Sequence, residues 1–196
     1  MSYIQAIEHA GFTPTSFELE SQAITRSVVP PDEKRPVMIL DLGETHTGLS
    51  IAIHGVTVYS TALPGIIESA RPLEKSPVPK NNETIEKTDS EKEPVYTITK
   101  QVLDTLYENI KQHMTFWETH TDETKHIGNT IEHIYISGGL AYYKEIKIYL
   151  ESKLQREVEE VHAYDRLPMH KKNNIPPEYI LEYTAALGVA LGNYVS

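Results

Sequence analysis

The chain has 196 residues, a mass of 22.2 kDa, 28 acidic against 18 basic side chains and no cysteine. A compact fold of this size is one domain or two small ones and buries about 70% of its unfolded surface without needing staples. The lack of cysteine excludes disulfides, zinc-thiolate sites, Fe–S clusters and a cysteine nucleophile, and favours a reducing, cytosolic setting. A net charge of −10 argues against a nucleic-acid backbone as the main partner. No apolar run reaches the ~18 residues of a membrane span, and the opening residues lack the basic-then-apolar pattern of a signal peptide. Any membrane association is therefore expected to come through a partner.

In chain order, Tyr3, Ile4, Ala6, Ile7 and Ala10 predict a short amphipathic helix over 2–10, ended by Gly11. Phe17-Glu18-Leu19 reads as extended, and residues 20–29 read as a helix with Ala23, Ile24, Ser27 and Val28 on one face, stopped by Pro30-Pro31. Residues 30–36 read as an exposed connector. Val37-Met38-Ile39-Leu40 is a continuous apolar run that predicts a buried strand ending at Asp41-Leu42-Gly43. Residues 48–53 and 56–60 flank His54-Gly55 and predict an antiparallel hairpin. Residues 68–95 carry four prolines, seven acidic and five basic residues and no periodicity, which predicts a flexible loop. Val102, Leu103, Leu106, Tyr107, Ile110, Met114 and Trp117 place a helix of about six turns over 96–118. A polar connector over 119–130 leads to a strand at Ile134-Tyr135-Ile136, a helix over 143–154 and a short strand over 158–161. A loop with Pro168, Pro176 and Pro177 precedes a final helix over 179–194. Strands alternating with helices make an α/β domain, whose ligands bind at the carboxyl ends of parallel strands and at helix N-termini.

Two stretches could carry chemistry. In Asp41-Leu42-Gly43-Glu44-Thr45-His46-Thr47-Gly48, a carboxylate at a strand end precedes a glycine-supported reversal lined by hydroxyls. Such a turn can hold a hydrated Mg²⁺ while its backbone N–H groups face a phosphate. It has no lysine, which separates it from the P-loop. The same residues also make an ordinary polar turn. In Ile134-Tyr135-Ile136-Ser137-Gly138-Gly139-Leu140-Ala141, two glycines between strand and helix let a ligand approach the backbone, or simply make a tight turn. The nine histidines form no compact ligand set. His113 and His120 beside Trp117 read as solvated or capping residues. Gly188 and Gly192 read as a tight helix packing pair, and Tyr142-Tyr143 as amphipathic packing rather than base stacking.

The order of these stretches, with the last helix behind them, resembles the C-terminal half of the actin-like (ribonuclease H-like) ATPase superfamily. The first turn is similar to that superfamily's second phosphate motif, and residues 137–141 to its adenosine motif. Ala10-Gly11-Phe12-Thr13-Pro14, Glu18-Leu19-Glu20-Ser21-Gln22-Ala23-Ile24, the run Leu140 to Ile146, and Ile175-Pro176-Pro177 with Tyr183-Thr184-Ala185-Ala186-Leu187-Gly188-Val189-Ala190-Leu191 resemble the PilM family of type IV pilus assembly proteins, relatives of FtsA. The resemblance implies an α/β second lobe over 36–196 with a β-meander and a helical subdomain, preceded over 1–35 by the tail of a first lobe and a connector. It implies ATP with Mg²⁺ as cofactor. Asp41 would hold Mg²⁺ through water, Gly43, Glu44, Thr45 and Thr47 would line the phosphate turn, and Ser137, Gly138, Gly139 and Leu140 would face the adenosine. It also implies a cytoplasmic scaffold of pilus assembly, recruited to the inner face of the membrane by a PilN-like inner-membrane protein that docks on the first lobe. Most of that first lobe is expected to be missing from this chain, so ATP binding is expected to be weak and catalysis by the chain alone is not expected. Glu44, His46 and Leu63-Pro64-Gly65 depart from the family's small residues; a carboxylate at Glu44 repels polyphosphate unless Mg²⁺ intervenes. Half of a small-molecule kinase of the same superfold, or a structural domain with a decayed site, are the alternatives.

Overall fold

The computed structural model describes residues 2–43, 45–65, 98–120, 130–161, 181 and 183–192. The first element, α1 (Tyr3–His9), is held by local chemistry alone. Ser2 Oγ accepts from the Gln5 N–H at 3.3 Å and Gln5 Oε1 accepts from the Ser2 N–H at 3.0 Å, a reciprocal cap that replaces packing, since α1 buries no residue. The expected extended stretch at Phe17-Glu18-Leu19 forms no strand, and Leu19 is 75% exposed. Then α2 (Glu20–Val28) buries Ala23, Ile24, Thr25, Ser27 and Val28, the face its spacing predicts plus Thr25. The connector at 30–36 is organised by Arg35, whose hydrogen bonds hold the Glu33 carboxyl down at about 2.

Five strands follow as one sheet: β1 (Val37–Leu42), β2 (His46–Ile53), β3 (Val56–Pro64), β4 (His133–Ser137) and β5 (Glu157–Glu160), in the order β3-β2-β1-β4-β5. The continuous apolar run of β1 is central, antiparallel to β2 and parallel to β4. A strand buried on both faces needs no alternation. The β2–β3 turn places His54 and Gly55 at φ 52° and 71°, the two positive values a two-residue hairpin loop requires. The third strand runs four residues further than its sequence suggests. Leu63 pairs with Thr47 and is buried, and Pro64 is tolerated because, among the described residues, β3 lies at the sheet edge.

Helices cover both faces. On one, Thr25 of α2 hydrogen-bonds Thr57 of β3 at 2.8 Å. On the other, α3 (Lys100–His120) meets β3 through a 2.8 Å hydrogen bond between the Tyr59 hydroxyl and His113 Nδ1. His113 thus has a structural partner rather than solvent, whereas His120 Nδ1 lies 3.1 Å from the Phe116 carbonyl at the helix end, a capping position. The next helix, α4 (Lys144–Leu154), joins α3 through the Tyr149 hydroxyl, which donates to Asp104. Last comes α5 (Thr184–Leu191), which packs on α2. Gly188 is the tight contact: a Cβ there would sit 1.8 Å from the Ala23 carbonyl oxygen. The core gathers Met38, Leu40, Leu42, Ile51, Ile134 and Ile136 of the sheet with Leu106, Ile110, Ile146 and Leu150 of α3 and α4. The loop expected at 68–95, most of the 119–130 connector, the proline-punctuated loop and both ends of the 179–194 helix lie outside the described residues.

Candidate functional site

The parallel pairing of β1 and β4 brings the two motif-bearing strand ends side by side. Asp41 is the register partner of Ser137, and the Ser137 hydroxyl donates to Asp41 Oδ1 at 3.0 Å. One residue on, the chain reversals touch. Gly138 has φ +87°, and a Cβ on it would meet the Leu42 carbonyl oxygen at 2.7 Å, so both its backbone angle and the approach of β1 demand glycine. Its N–H donates to the Leu181 carbonyl at 2.9 Å, which fixes the second turn from the far end of the chain. In the first turn, a Cβ on Gly43 would meet the His46 carbonyl oxygen at 2.8 Å.

Strand alternation sorts the remaining residues by face. Asp41, Gly48 and Ser137 share the face covered by α2; Thr47, partner of Leu42, falls on the other. On the α2 face lies a cavity of about 460 Å³ lined by Leu19, Glu20, Ile24, Ile39, Asp41 and His46 among others. Burial pushes the Asp41 carboxyl above its ordinary value; the Ser137 hydrogen bond opposes this, the Glu20 carboxylate adds to it and His46 offsets it. Among the described residues, no lysine or arginine lines the cavity. Any anion entering it must therefore bring a cation or lose affinity to two carboxylates.

Of the residues expected at the phosphate turn, Asp41, Gly43 and Thr45 stand together, with Thr45 Oγ1 3.1 Å from His46 Nδ1 at the exposed tip. The Thr47 hydroxyl is fully buried and has no hydrogen-bond partner among the described residues. Glu44 lies outside them. At the second turn Ser137 and Gly138 adjoin Asp41, and Gly139 opens a 3₁₀ turn, Gly139–Tyr142. The Leu140 side chain is in the core, so only its backbone could face a ligand. Tyr143 packs against that core while Tyr142 is exposed, as amphipathic packing requires. Sequence reasoning missed Glu20, Ser21 and Leu181. The first two sit at the start of α2, whose N-cap residue Leu19 offers no side-chain cap. That uncapped helix start was the signal available.

The donor set fits a hydrated divalent cation. Asp41 offers a hard oxygen ligand with one carboxylate oxygen bonded by Ser137 and the other free to accept from a metal-bound water, whereas the buried Thr47 hydroxyl lies on the opposite face of the sheet and takes no part. Among the described residues no three His, Asp or Glu side chains stand together as a metal-ligand group, so direct coordination by several protein ligands is not available there. No described helix is long and apolar enough to cross a membrane.

No protein-family model matches the chain, and no curated protein matches it. Solved structures do. The chain is similar to a chain of a PilM-PilN type IV pilus biogenesis complex, at 16% identity and a TM-score of 0.65, over 98% of this chain and 56% of that one. It is similar to MreB 5 of Spiroplasma citri bound to AMPPNP, at 14% identity and a TM-score of 0.55, over 97% of this chain and 62% of that one. It is also similar to Ta0583, an archaeal actin homolog, at 14% identity and a TM-score of 0.54, over 94% of this chain and 57% of that one. The chain thus has the actin-like ATPase fold and a PilM-like structure, and it spans a little over half the length of these neighbours.

Proposed function

We propose that the chain is the nucleotide-facing second lobe of an actin-like protein, with residues 36–196 forming the lobe and residues 1–35 the connector from a first lobe. The observation that carries this reading is the join of the two turns: Ser137 bonded to Asp41 at 3.0 Å, with Gly138 packed on the Leu42 backbone. A phosphate turn and an adenosine turn serve one nucleotide only if they meet, and here two segments 96 residues apart do. ATP is the ligand proposed, with Mg²⁺ held through water by Asp41. Bound Mg²⁺ supplies the positive charge that the cavity lining lacks. Asp41 would orient its water shell, the Gly43 to Thr47 turn would offer its backbone to the phosphates, and the Gly138, Gly139 and Leu140 backbone would face the adenosine.

The role proposed for the whole protein is that of a PilM-like cytoplasmic scaffold, recruited to the membrane by a PilN-like partner. The likeness to a chain of a PilM-PilN complex supports it. A fluorescent ATP analogue tests the site: its binding should need Mg²⁺ and weaken in Gly138→Ala, which closes the second turn onto Leu42. Equal binding in EDTA would contradict the cation's part. A second reading, a structural domain whose site has decayed, is favoured by one observation: Glu20 faces Asp41 in a cavity with no lysine or arginine among the described residues. Absence of binding by both this chain and a longer protein containing it would decide for that reading.

A further inference from the structure

The Gly188 and Gly192 pair does more than let α5 approach α2. A Cβ on Gly192 would meet Arg26 Nη1 at 3.0 Å, and that same Nη1 donates to the Gly188 carbonyl at 2.8 Å, so the two glycines form a seat for one guanidinium. From this seat Arg26 reaches the chain ahead of its own helix. Its Nη1 donates to Glu18 Oε1 at 3.0 Å and its Nη2 to Glu18 Oε2 at 2.6 Å, a forked pair that fixes direction as well as distance. Among the described residues little else holds this stretch: Leu19 offers α2 no side-chain cap, and residues 13–17 make no hydrogen bond. The next tie along the chain is the Ser21 carbonyl, which accepts from the Thr57 hydroxyl of β3 at 3.2 Å. Glu20 thus stands between two anchors, Arg26 through Glu18 on one side and β3 through Ser21 on the other. It lines the cavity with Asp41, near enough that its carboxylate adds to the upward push that burial gives the Asp41 carboxyl.

We propose that Glu20 sets the cation requirement of this cavity and that Arg26 is its positioning residue: seated on α5 and forked onto Glu18, Arg26 keeps the Glu20 carboxylate beside Asp41, where it repels a polyphosphate that arrives without a divalent cation. The role rests on the reading of the cavity as the phosphate end of a nucleotide site. Charges in a partly buried cavity interact more strongly than in bulk water. Removing one carboxylate, or letting it swing away, therefore relieves a metal-free polyphosphate. A metal-bound one gains much less, because a cation standing between the phosphates and the carboxylates is itself attracted by Glu20. Glu20 governs the difference between the two affinities, and Arg26 governs it only through the place it gives to Glu20.

Two measurements on the full chain test this. Amide exchange without nucleotide reads the clamp. The Gln22 and Ala23 N–H groups bond the Leu19 carbonyl, and their exchange should quicken tenfold or more in Arg26→Met and in Glu18→Gln. The double variant should exchange no faster than either, as two ends of one link require. Binding of a fluorescent ATP analogue, with Mg²⁺ and in EDTA, reads the charge. The ratio of the two affinities should fall tenfold or more in Glu20→Gln and move toward the same value in Arg26→Met. If Arg26→Met exchanges as the parent does, or weakens binding equally under both conditions, its part is structural only and the positioning role is overturned. A ratio in Glu20→Gln equal to the parent's overturns the part given to Glu20 and leaves the nucleotide reading in place. Absence of binding by the parent with Mg²⁺ contradicts the nucleotide reading, and the cation requirement falls with it.

Discussion

Gly188 of α5 meets the backbone of Ala23 of α2 so closely that a methyl group on it would lie 1.8 Å from the Ala23 carbonyl oxygen. The contact is tied from the side. Arg26 donates to the Gly188 carbonyl at 2.8 Å and pairs with Glu18 at 2.6 Å, so the segment before α2, α2 itself and α5 are joined by one guanidinium. Gly188→Ala forces the helices apart and should cost about 3 kcal/mol, the upper end for overpacking. Urea denaturation checks this, and a loss below about 0.5 kcal/mol, the range of ordinary surface changes, would contradict the close approach.

Asp41 is held at a cost to stability. Its folded carboxyl lies above the ordinary value, so the folded state binds more proton than the unfolded one, and stability falls as pH rises from the unfolded value of 3.8 through the folded one. Asp41→Asn keeps an oxygen to accept from Ser137 and removes the charge. It should be more stable than the parent at neutral pH, and the difference should vanish below pH 3.8. Denaturant titrations at several pH values would show it. Glu20→Gln should move the Asp41 carboxyl downward, readable by carbon-detected NMR titration.

Ser137→Ala leaves the half-buried Asp41 carboxylate without its hydrogen bond. The expected loss is about 1.5 kcal/mol at neutral pH, the low end for bonds to charged groups. Below the Asp41 titration the loss should shrink. A pH-independent difference would assign the effect to packing.

Tyr149 donates to Asp104 across α3 and α4, and this bond pushes its phenol up to about 12. A raised folded value stabilises below the unfolded value of 10.0 and is lost as pH rises toward 12. Asp104→Asn should therefore return one tyrosine toward pH 10, seen in ultraviolet absorbance, and flatten the alkaline fall in stability.

Much of this architecture is legible from local pattern. Val37 to Leu40 announces a central strand because both its faces are buried, and Met38, Ile39 and Leu40 are almost wholly so. The two positive-φ residues of the hairpin are legible in His54-Gly55. The end of β3 is not: Thr61-Ala62-Leu63-Pro64 looks like a loop until β2 supplies Thr47 as a partner for Leu63. The site divides in the same way. Asp41 and Ser137 each end a recognisable strand, but their register depends on a parallel pairing between strands 96 residues apart. For Glu20 the uncapped start of α2 was a signal, but its place in the site depends on how α2 crosses the sheet, and no spacing within α2 encodes that. The face of Thr47 follows from pairing with Leu42, which only a settled register decides.

The central claim is that Asp41 and the two joined turns bind ATP through Mg²⁺. Calorimetric titration of ATP into the chain with Mg²⁺, with EDTA, and into Asp41→Ala tests it most directly. The account predicts weak binding, in the high micromolar range, that disappears both in EDTA and in Asp41→Ala while circular dichroism stays unchanged. Binding of equal strength in all three titrations, or none at millimolar ATP with Mg²⁺, would contradict it.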